Sequence, residues 1–287
     1  MVGLGVYADF GRLGDELGGF RWELFPLALA FTALNYLIRF WRWELYLARL
    51  AIEVPRGRSL AVFVAGLTMT ITPAKLGELV KSGLLRRSFA VPVRRSAPVV
   101  LAERVTDATG VVALAVAGGA GTRSWPLLAL ALAGVVAIVA IVRSPLLERF
   151  ARLGEAPGAA RMLLGTRLLL GMTVLSAVSW LFECLAAYVC VRGLRLDLSF
   201  PDTVVVFSLG SLAGALSFLP GGLGVAETSM TGLMRVLGDV SKAAAAAATL
   251  LIRLATLWFA VALGLVGLAV EARLSRRNQP VRRSSMR

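Results

Sequence analysis

The sequence LPGGLG at residues 219–224 interrupts an apolar block that covers residues 203–237. A second apolar block, residues 60–85, is interrupted in the same way by TITP at residues 70–73. Because proline removes a backbone donor and breaks a helix, each block predicts two helical segments. Each segment would be roughly 18–25 Å long, which is short of the roughly 30 Å hydrocarbon core. We therefore predict two re-entrant helical hairpins, each of which reaches the middle of the membrane and returns.

The chain is more apolar than a soluble protein. Of its 287 residues, 57% are hydrophobic and the mean hydropathy is +0.77, whereas soluble chains have about 45–50% apolar residues. This composition excludes a soluble enzyme, a nucleic-acid-binding domain and a disordered protein. The unbroken blocks lack the alternation of barrel strands and are long enough for helices. They cover residues 24–48, 97–118, 125–142, 168–191 and 243–270.

These blocks predict an all-α, polytopic membrane helix bundle. We divide the chain into an N-terminal interfacial segment, a transmembrane domain and a basic, disordered cytoplasmic tail. Their ranges are 1–23, 24–272 and 273–287.

Few residues suited to catalysis are present. The chain has no histidine, which removes the commonest general base and the commonest metal ligand. Cys184 and Cys190 both lie inside one apolar block, so neither a disulfide framework nor a thiolate metal site is indicated. We expect no enzymatic activity, no metal and no cofactor.

The distribution of positive charge predicts the orientation in the membrane. The net charge is +14, from 31 Lys and Arg against 17 Asp and Glu. With five crossings and two hairpins, about 18 basic residues of the loops and tail lie on one face and about 7 on the other. The positive-inside rule then places the loops around Arg56 and Arg87, and the C-terminus, in the cytoplasm. We expect the protein to lie in the plasma membrane.

The two halves of the chain resemble each other. PAKLG at residues 73–77 and PGGLG at 220–224 share the pattern P-x-x-L-G. An arginine follows the proline by 31 residues in the first half (Arg104) and by 33 in the second (Arg253). Because the single helix 125–142 lies between the halves, the second copy would run through the membrane upside down. Inverted repeats with broken helices are typical of secondary transporters, and chance similarity in a Gly- and Leu-rich sequence is the alternative.

Twelve ionisable residues lie within the apolar blocks. Each costs at least about 2.5–3.5 kcal/mol at the bilayer centre, so each should face a cavity or a partner. Six are basic and six acidic, which allows near-complete pairing. They are Arg39, Arg42, Glu44, Lys75, Glu78, Lys81, Glu103, Arg104, Asp107, Glu183, Glu227 and Arg253.

Five of these residues are the candidate members of an intramembrane charge network: Glu103, Asp107, Glu183, Arg39 and Arg42. Glu103 and Asp107 are four residues apart and share a helical face, which favours a salt-bridge lattice between helices. Arg39 and Arg42 stand beside two tryptophans near the end of block 24–48, which predicts that their side chains extend to the interface. Glu183 has no partner in its own block, so either pairing with Arg104 or Arg253 or a role in carrying protons remains open.

Other residues predict an anion site at the two breaks. A guanidinium binds phosphate or carboxylate in a bidentate manner, and Arg104 and Arg253 both open the helix that follows a hairpin. The helix start after each break would add free backbone N–H groups. The candidate binding residues are Arg104, Arg253, Lys75, Glu78, Gly221, Gly222, Gly224 and Glu227. The glycines would allow a headgroup to approach the backbone closely, and Glu227 has the same open alternatives as Glu183.

The ordered set of motifs resembles the lysylphosphatidylglycerol synthase transmembrane-region family, over about residues 20–272. This is the flippase-like domain of the multiple peptide resistance factor, which also occurs as a separate protein. The motifs are Asn35, Arg39, Arg42, Trp43 and Leu47, PAKLGE at 73–78, Glu103, Arg104 and Asp107, LPGGLG at 219–224 with Glu227, and Arg253.

The resemblance implies a lipid flippase that moves an aminoacylated or otherwise polar-headed lipid, such as a phospholipid, between leaflets. Family members usually have a further membrane helix before block 24–48 and, in the resistance factor, a soluble aminoacyl-transferase domain; we expect neither in this chain. The alternative is an accessory membrane subunit of a lipid-linked glycosyl- or aminoacyl-transferase. Such a transferase, or a second copy of this chain, would then be its protein partner.

Overall fold

The computed structural model describes residues 10–72, 79–121, 162–163 and 165–277, together with positions 129 and 133. Regular structure in these ranges is helical and includes no strand, so the all-α fold class is confirmed. The α-helices are α1 (Phe10–Gly18), α2 (Phe25–Arg49), α3 (Arg56–Leu67), α4 (Val80–Phe89), α5 (Val93–Gly121), α6 (Thr166–Gly193), α7 (Phe200–Leu216), α8 (Val225–Gly238), α9 (Lys242–Arg253) and α10 (Phe259–Arg277).

Three of the described helical segments are long and apolar enough to cross a membrane. They are Trp22–Arg49, Thr166–Gly193 and Lys242–Ser275, with 28, 28 and 34 residues, and they confirm three of the predicted apolar helices. Helix α5 has 29 residues, so its length of about 43 Å also exceeds the hydrocarbon core. The predicted helix 125–142 lies outside the described residues.

Both predicted breaks interrupt the helices. After α3 the chain forms a short 3-10 turn, Thr68–Ile71, and α4 begins only at Val80. After α7 a second 3-10 turn, Pro220–Gly222, precedes α8. Residues 73–78, which include the candidate binding residues Lys75 and Glu78, lie outside the described residues.

The start of α3 and the end of α4 lie side by side. Arg58, on the first turn of α3, pairs with Glu271 of α10 (Nη2–Oε1, 3.1 Å). Ser88, near the end of α4, donates to the same carboxylate oxygen at 2.6 Å, and Ser275 donates to it at 2.8 Å. The chain therefore leaves this end of the bundle with α3 and returns to it with α4.

The start of α7 and the end of α8 also lie together, at the other end of α5. A Cβ atom placed on Gly238 would lie 2.7 Å from Leu198 Cδ1, just before α7. A Cβ atom on Gly118, near the end of α5, would lie 3.0 Å from the carbonyl oxygen of Pro201. Because α4 leads directly into the start of α5, the two helix pairs open towards opposite ends of α5. The inverted repeat requires this arrangement; the repeat itself stays a prediction.

The apolar interior consists of two main clusters of side chains. One contains residues of α6 to α9, such as Cys190, Met230 and Ala247. The other contains residues of α2 to α5 and α10, such as Trp43 and Leu85. Helices α9 and α10 connect the two clusters through a π-helical segment, Leu254–Trp258.

The structure corrects one predicted boundary. Helix α10 continues to Arg277, so residues 273–277, which we predicted to be the disordered beginning of the tail, are helical. Residues 278–287 lie outside the described residues. The predicted interfacial segment contains α1, which packs against α9 and buries Leu13.

Candidate functional site

A cavity of about 300 Å³ lies where the two breaks meet. Thr70 and Thr72 line it from the first break, and Leu219 and Gly221 line it from the second. The breaks contact each other, because a Cβ atom placed on Gly221 would lie 3.6 Å from Ile71 Cα. Two segments that are 150 residues apart in the sequence therefore form one site.

The cavity lies near the middle of the long helices. Arg39 of α2 and Asp107 of α5 both line it. At 1.5 Å per residue, each lies about 21 Å from the first residue of its helix. Helices α2 and α5 are about 37 Å and 43 Å long on the same measure.

One carboxylate in the cavity wall is surrounded by three guanidinium groups. Asp107 pairs with Arg39 (Nη2–Oδ2, 3.3 Å), with Arg42 (Nη2–Oδ1, 2.5 Å) and with Arg104 (Nη2–Oδ2, 3.0 Å). Ser176 of α6 donates a further hydrogen bond to Oδ1 at 3.0 Å. The cluster connects α2, α5 and α6, and its arginine charges outnumber the carboxylate charge.

The predicted position of Arg39 and Arg42 at the membrane interface is wrong. Their exposed fractions are 4% and 0%, and both contact Asp107. Helix α2 continues to Arg49, so Arg42 lies about two turns before its end. Trp41 faces outward with 60% of its surface exposed, whereas Trp43 is fully buried, so the two tryptophans do not form one belt.

A second ion pair holds the break at 219–224. Arg253 pairs with Glu227 (Nε–Oε1, 2.6 Å), and its Nη2 donates to the carbonyl oxygen of Gly221 at 2.5 Å. The backbone N–H of Gly224 donates to Glu227 Oε2 at 2.6 Å. Glu227 therefore caps the start of α8. The prediction that this helix start offers only free N–H groups to a ligand needs correction, since the Gly224 amide is already bound.

The glycines of this break have different roles. All three have a positive φ angle: +62° at Gly221, +65° at Gly222 and +88° at Gly224. Residues other than glycine rarely adopt this backbone conformation. A Cβ atom on Gly222 would lie 2.7 Å from Gly214 Cα, so Gly222 is required for packing against α7. A Cβ atom on Gly224 would have no atom within 4 Å.

Sequence reasoning missed several uncharged residues of the cavity. Tyr36 and Trp180 line it, and each stands three residues before a charged residue of the cavity, Arg39 and Glu183. Helical periodicity is a signal that could have found both. The Tyr36 hydroxyl donates at 2.9 Å to the carbonyl oxygen of Thr256 in the π-helical segment; such segments are frequent at functional sites.

One side of the cavity is apolar. Phe207, Leu212, Phe218 and Leu219 line it, and Phe218 has 67% of its surface exposed. The cavity therefore has charged residues on α2, α5, α6 and α9 and an apolar wall around α7.

The described charges in and beside the cavity leave a positive excess. Three arginines and two acids line the cavity itself. Arg42 and Glu227 lie directly behind them, bound to Asp107 and Arg253. The total is four arginines against three acids, a formal excess of one positive charge.

Lys81 and Glu103 form a separate buried pair. Their Nζ–Oε2 distance is 2.6 Å and they connect α4 to α5, but neither residue lines the cavity. In the part of the chain that the structure describes, no three acidic or cysteine side chains are grouped as metal ligands would be.

These features define the class: a polytopic helical membrane protein with a charged cavity between two broken helix pairs. The family model described as the lysylphosphatidylglycerol synthase TM region matches residues 1–264. The chain belongs to this family. The match also includes residues 1–19, which precede the region of about residues 20–272 that the resemblance of the motifs covers.

Two curated relatives are proteins of the archaeon Methanothermobacter thermautotrophicus described as UPF0104 membrane proteins. One is 40% identical over 93 residues, which cover 32% of this chain and 28% of the relative. The other match is 24% identical over 310 aligned positions, covering 93% of this chain and 89% of the relative. The alignment of lower identity therefore extends over nearly the whole chain. The alignment of higher identity covers less than a third of the chain.

Proposed function

We propose that this protein moves a polar-headed lipid, either a phospholipid or an aminoacylated phospholipid, from one leaflet of the membrane to the other. The observation that carries the proposal is the cluster of three arginines around Asp107 in the wall of a cavity at the middle of the helices. Charged groups at this depth are costly and are typical of substrate pathways.

The charge of the site suits a phosphodiester. Arg39, Arg104 and Arg253 line the cavity, and the phosphate of a phospholipid such as phosphatidylglycerol has one negative charge. Arg104 is the residue best placed to bind it, because its side chain is 22% exposed while those of Arg39 and Arg42 are 4% and 1% exposed. A planar guanidinium binds phosphate through two parallel hydrogen bonds.

The shape of the site suits an amphiphile. The headgroup would occupy the charged wall, and the acyl chains would pass the apolar wall around Phe218 and Leu219 into the surrounding lipid. This division means that only the headgroup must be shielded from hydrocarbon during the passage.

Alternating access by two inverted halves is the mechanism that we propose for this passage. Besides the opposite directions of the helix pairs, the ion pairs support it. In the first half Lys81, on the helix after the break, pairs with Glu103 on the next helix. In the second half an acid on the helix after the break, Glu227, pairs with a base on the next helix, Arg253, so the order of the charges is reversed. A pair that ties the second arm of a hairpin to the next helix in both halves would let each hairpin move with that helix as a unit.

The further parts of the proposal concern location and chemistry. We place the protein in the plasma membrane with its C-terminus in the cytoplasm, following the positive-inside rule. We treat residues 24–272 as the translocating domain. The family model that matches this chain describes the TM region of lysylphosphatidylglycerol synthase, which is a membrane region and not a catalytic one, and this supports transport rather than catalysis.

A lipid-movement assay tests the proposal. Purified protein is reconstituted into liposomes with fluorescent phosphatidylglycerol, and the label in the outer leaflet is quenched by dithionite. We expect Arg104→Ala to slow lipid movement about 10- to 100-fold, since a hydrogen bond to a charged group contributes about 1.5–3 kcal/mol. Asp107 keeps Arg39, Arg42 and Ser176 in this variant, so the fold should persist.

The matched control is Arg192→Ala, which removes an exposed arginine at the end of α6. It should move lipid at the wild-type rate. Wild-type movement in Arg104→Ala would overturn the headgroup role of Arg104, and the absence of any movement by the wild-type protein would overturn the function. Arg253 is unsuited to this test because its removal leaves Glu227 buried without its partner charge.

A further inference from the structure

We propose that the Lys81–Glu103 pair is a proton-binding site that couples lipid movement to a transmembrane proton gradient. The proposal rests on the proposed function, because it supplies that function with an energy source. It starts from a buried pair that takes no part in lining the lipid cavity.

The pair is enclosed completely. Lys81 is 2% exposed and Glu103 is 0% exposed, and the ammonium lies 2.6 Å from Glu103 Oε2. A Cβ atom placed on Gly66 would lie 2.5 Å from Lys81 Cγ, so the absence of a side chain at Gly66 makes room for the lysine. A buried ion pair is weak support for stability by itself, since two apolar residues often serve as well.

The two oxygens of the Glu103 carboxylate differ. Oε2 binds Lys81, whereas Oε1 is buried without a hydrogen-bond donor. Asp107, one turn further along α5, receives donors on both of its oxygens. Of these two acids, Glu103 is the one with an oxygen open to a proton, because protonation of Asp107 would disrupt bonds to several arginines.

The lysine has other partners for the moment when Glu103 loses its charge. Its Nζ lies 4.7 Å from the centre of the Trp43 ring and 5.4 Å from that of Phe63. Both rings attract a cation through their π faces. When a proton binds to Oε1, the net charge of the pair changes from zero to plus one, and the two rings still hold the ammonium.

The charged and titratable groups near Glu103 lie on α4, α2 and α5 itself. Helix α4 presents Lys81, and α2 presents Tyr46, which is in electrostatic contact with Glu103, Asp107 and Arg42. On α5 itself Asp107 is the neighbouring acid on the same face. Helix α6 contributes the uncharged Ser176 beside Asp107, and α3 contributes Phe63.

These neighbours connect the proton to the lipid site. Arg42 pairs with Asp107, which also pairs with Arg104 in the cavity wall. A change of charge at Glu103 alters the field on Arg42 and, through Asp107, on Arg104. It also weakens the tie between α5 and α4, the second arm of the first hairpin.

Two measurements test the proposal. The first is infrared difference spectroscopy of the purified protein between acid and alkaline pH, which detects protonated carboxyl groups and does not depend on lipid movement. We expect a protonated-carboxyl band in the wild-type protein that disappears in Glu103→Gln and persists in Glu53→Gln, a control at an exposed loop position. The same band in wild type and Glu103→Gln would overturn the proton site.

The second measurement is the steady-state distribution of fluorescent phosphatidylglycerol between the leaflets of proteoliposomes under a pH gradient, with the membrane potential clamped. For one proton per lipid, a gradient of one pH unit supports an accumulation ratio of up to about tenfold. The double variant Lys81→Met, Glu103→Gln keeps the volume and leaves no lone charge, and its ratio should be one.

The following outcomes distinguish the coupling from the proposed function. A wild-type ratio of one, or a double variant that accumulates lipid like the wild type, overturns the coupling while the proposed function stands. Should the wild-type protein move no lipid at all, the proposed function and the coupling fail, and the infrared band still decides whether Glu103 binds a proton.

Discussion

Replacement of Asp107 by asparagine removes the charge that two buried arginines, Arg39 and Arg42, share with the partly exposed Arg104. The side chain keeps its size, so the change leaves no cavity, and Oδ1 can still accept a hydrogen bond from Ser176. Arg39, Arg42 and Arg104 then repel one another at the middle of the helices, where solvent does not screen their charges.

The magnitude follows from the burial of the cluster. Removal of one partner from a buried ion pair costs about 3–5 kcal/mol, because it leaves an uncompensated buried charge. Arg104 is partly exposed, but Arg42 is fully buried, so solvent cannot replace the carboxylate beside it. We therefore expect Asp107→Asn to lower the free energy of unfolding by about 3–5 kcal/mol.

Unfolding in mixed micelles of a mild detergent and SDS, followed by tryptophan fluorescence, measures this change. Asp197→Asn, at an exposed position before α7, is the matched control and should lie within about 0.5 kcal/mol of the wild-type protein. Addition of Arg42→Met to Asp107→Asn should restore part of the loss, since it removes one of the repelling charges. An Asp107→Asn variant as stable as the control would refute the reasoning that the carboxylate holds the three arginines.

Further expected outcomes concern packing and are checked by the same unfolding assay. Gly264→Ala should destabilise the protein by more than about 1 kcal/mol, because its Cβ atom would lie 2.2 Å from the Thr68 amide nitrogen. The control Gly171→Ala, whose Cβ atom would lie in open space, should not destabilise the protein. Equal effects of the two substitutions would contradict the packing. Gly222→Ala should cost about 1–3 kcal/mol through its positive φ and its contact with α7, and a neutral result would contradict the tight turn. Tyr36→Phe should cost about 1 kcal/mol, the value of one hydrogen bond to the π-helical segment, and an unchanged stability would show that this bond contributes nothing.

The sequence predicted those features that depend on neighbouring residues. Long apolar blocks predicted α2 and α6 within one or two residues at each end, and proline with glycine predicted where α7 ends and α8 begins. A segment that crosses the hydrocarbon core must form its backbone hydrogen bonds internally, so few alternatives to a helix remain. The resemblance of the motifs predicted the family correctly.

The pairing of the charges depended on tertiary packing and was predicted only in part. Sequence spacing cannot show that Glu227 contacts Arg253 rather than another arginine, because the two lie on different helices. The prediction that the Arg42 side chain extends to the interface was wrong, because it relied on the nearby tryptophans and not on the helical periodicity of α2. Glu271, which joins the ends of α3 and α4, was missed because it stands where an apolar block gives way to a basic segment.

The proposed mechanism depends on two hairpins that enter the membrane from opposite sides and meet at one cavity. Two-sided labelling of single cysteines, in a variant whose native cysteines are replaced by alanine, tests it most directly. The substitutions are Arg56→Cys and Arg87→Cys at the ends of the first hairpin, and Asp197→Cys and Asp239→Cys at those of the second, all at exposed positions. The account predicts that a membrane-impermeant reagent reaches the first pair from one side only and the second pair from the other side only. Labelling of Arg56→Cys and Arg87→Cys from opposite sides, or of all four from the same side, would contradict it.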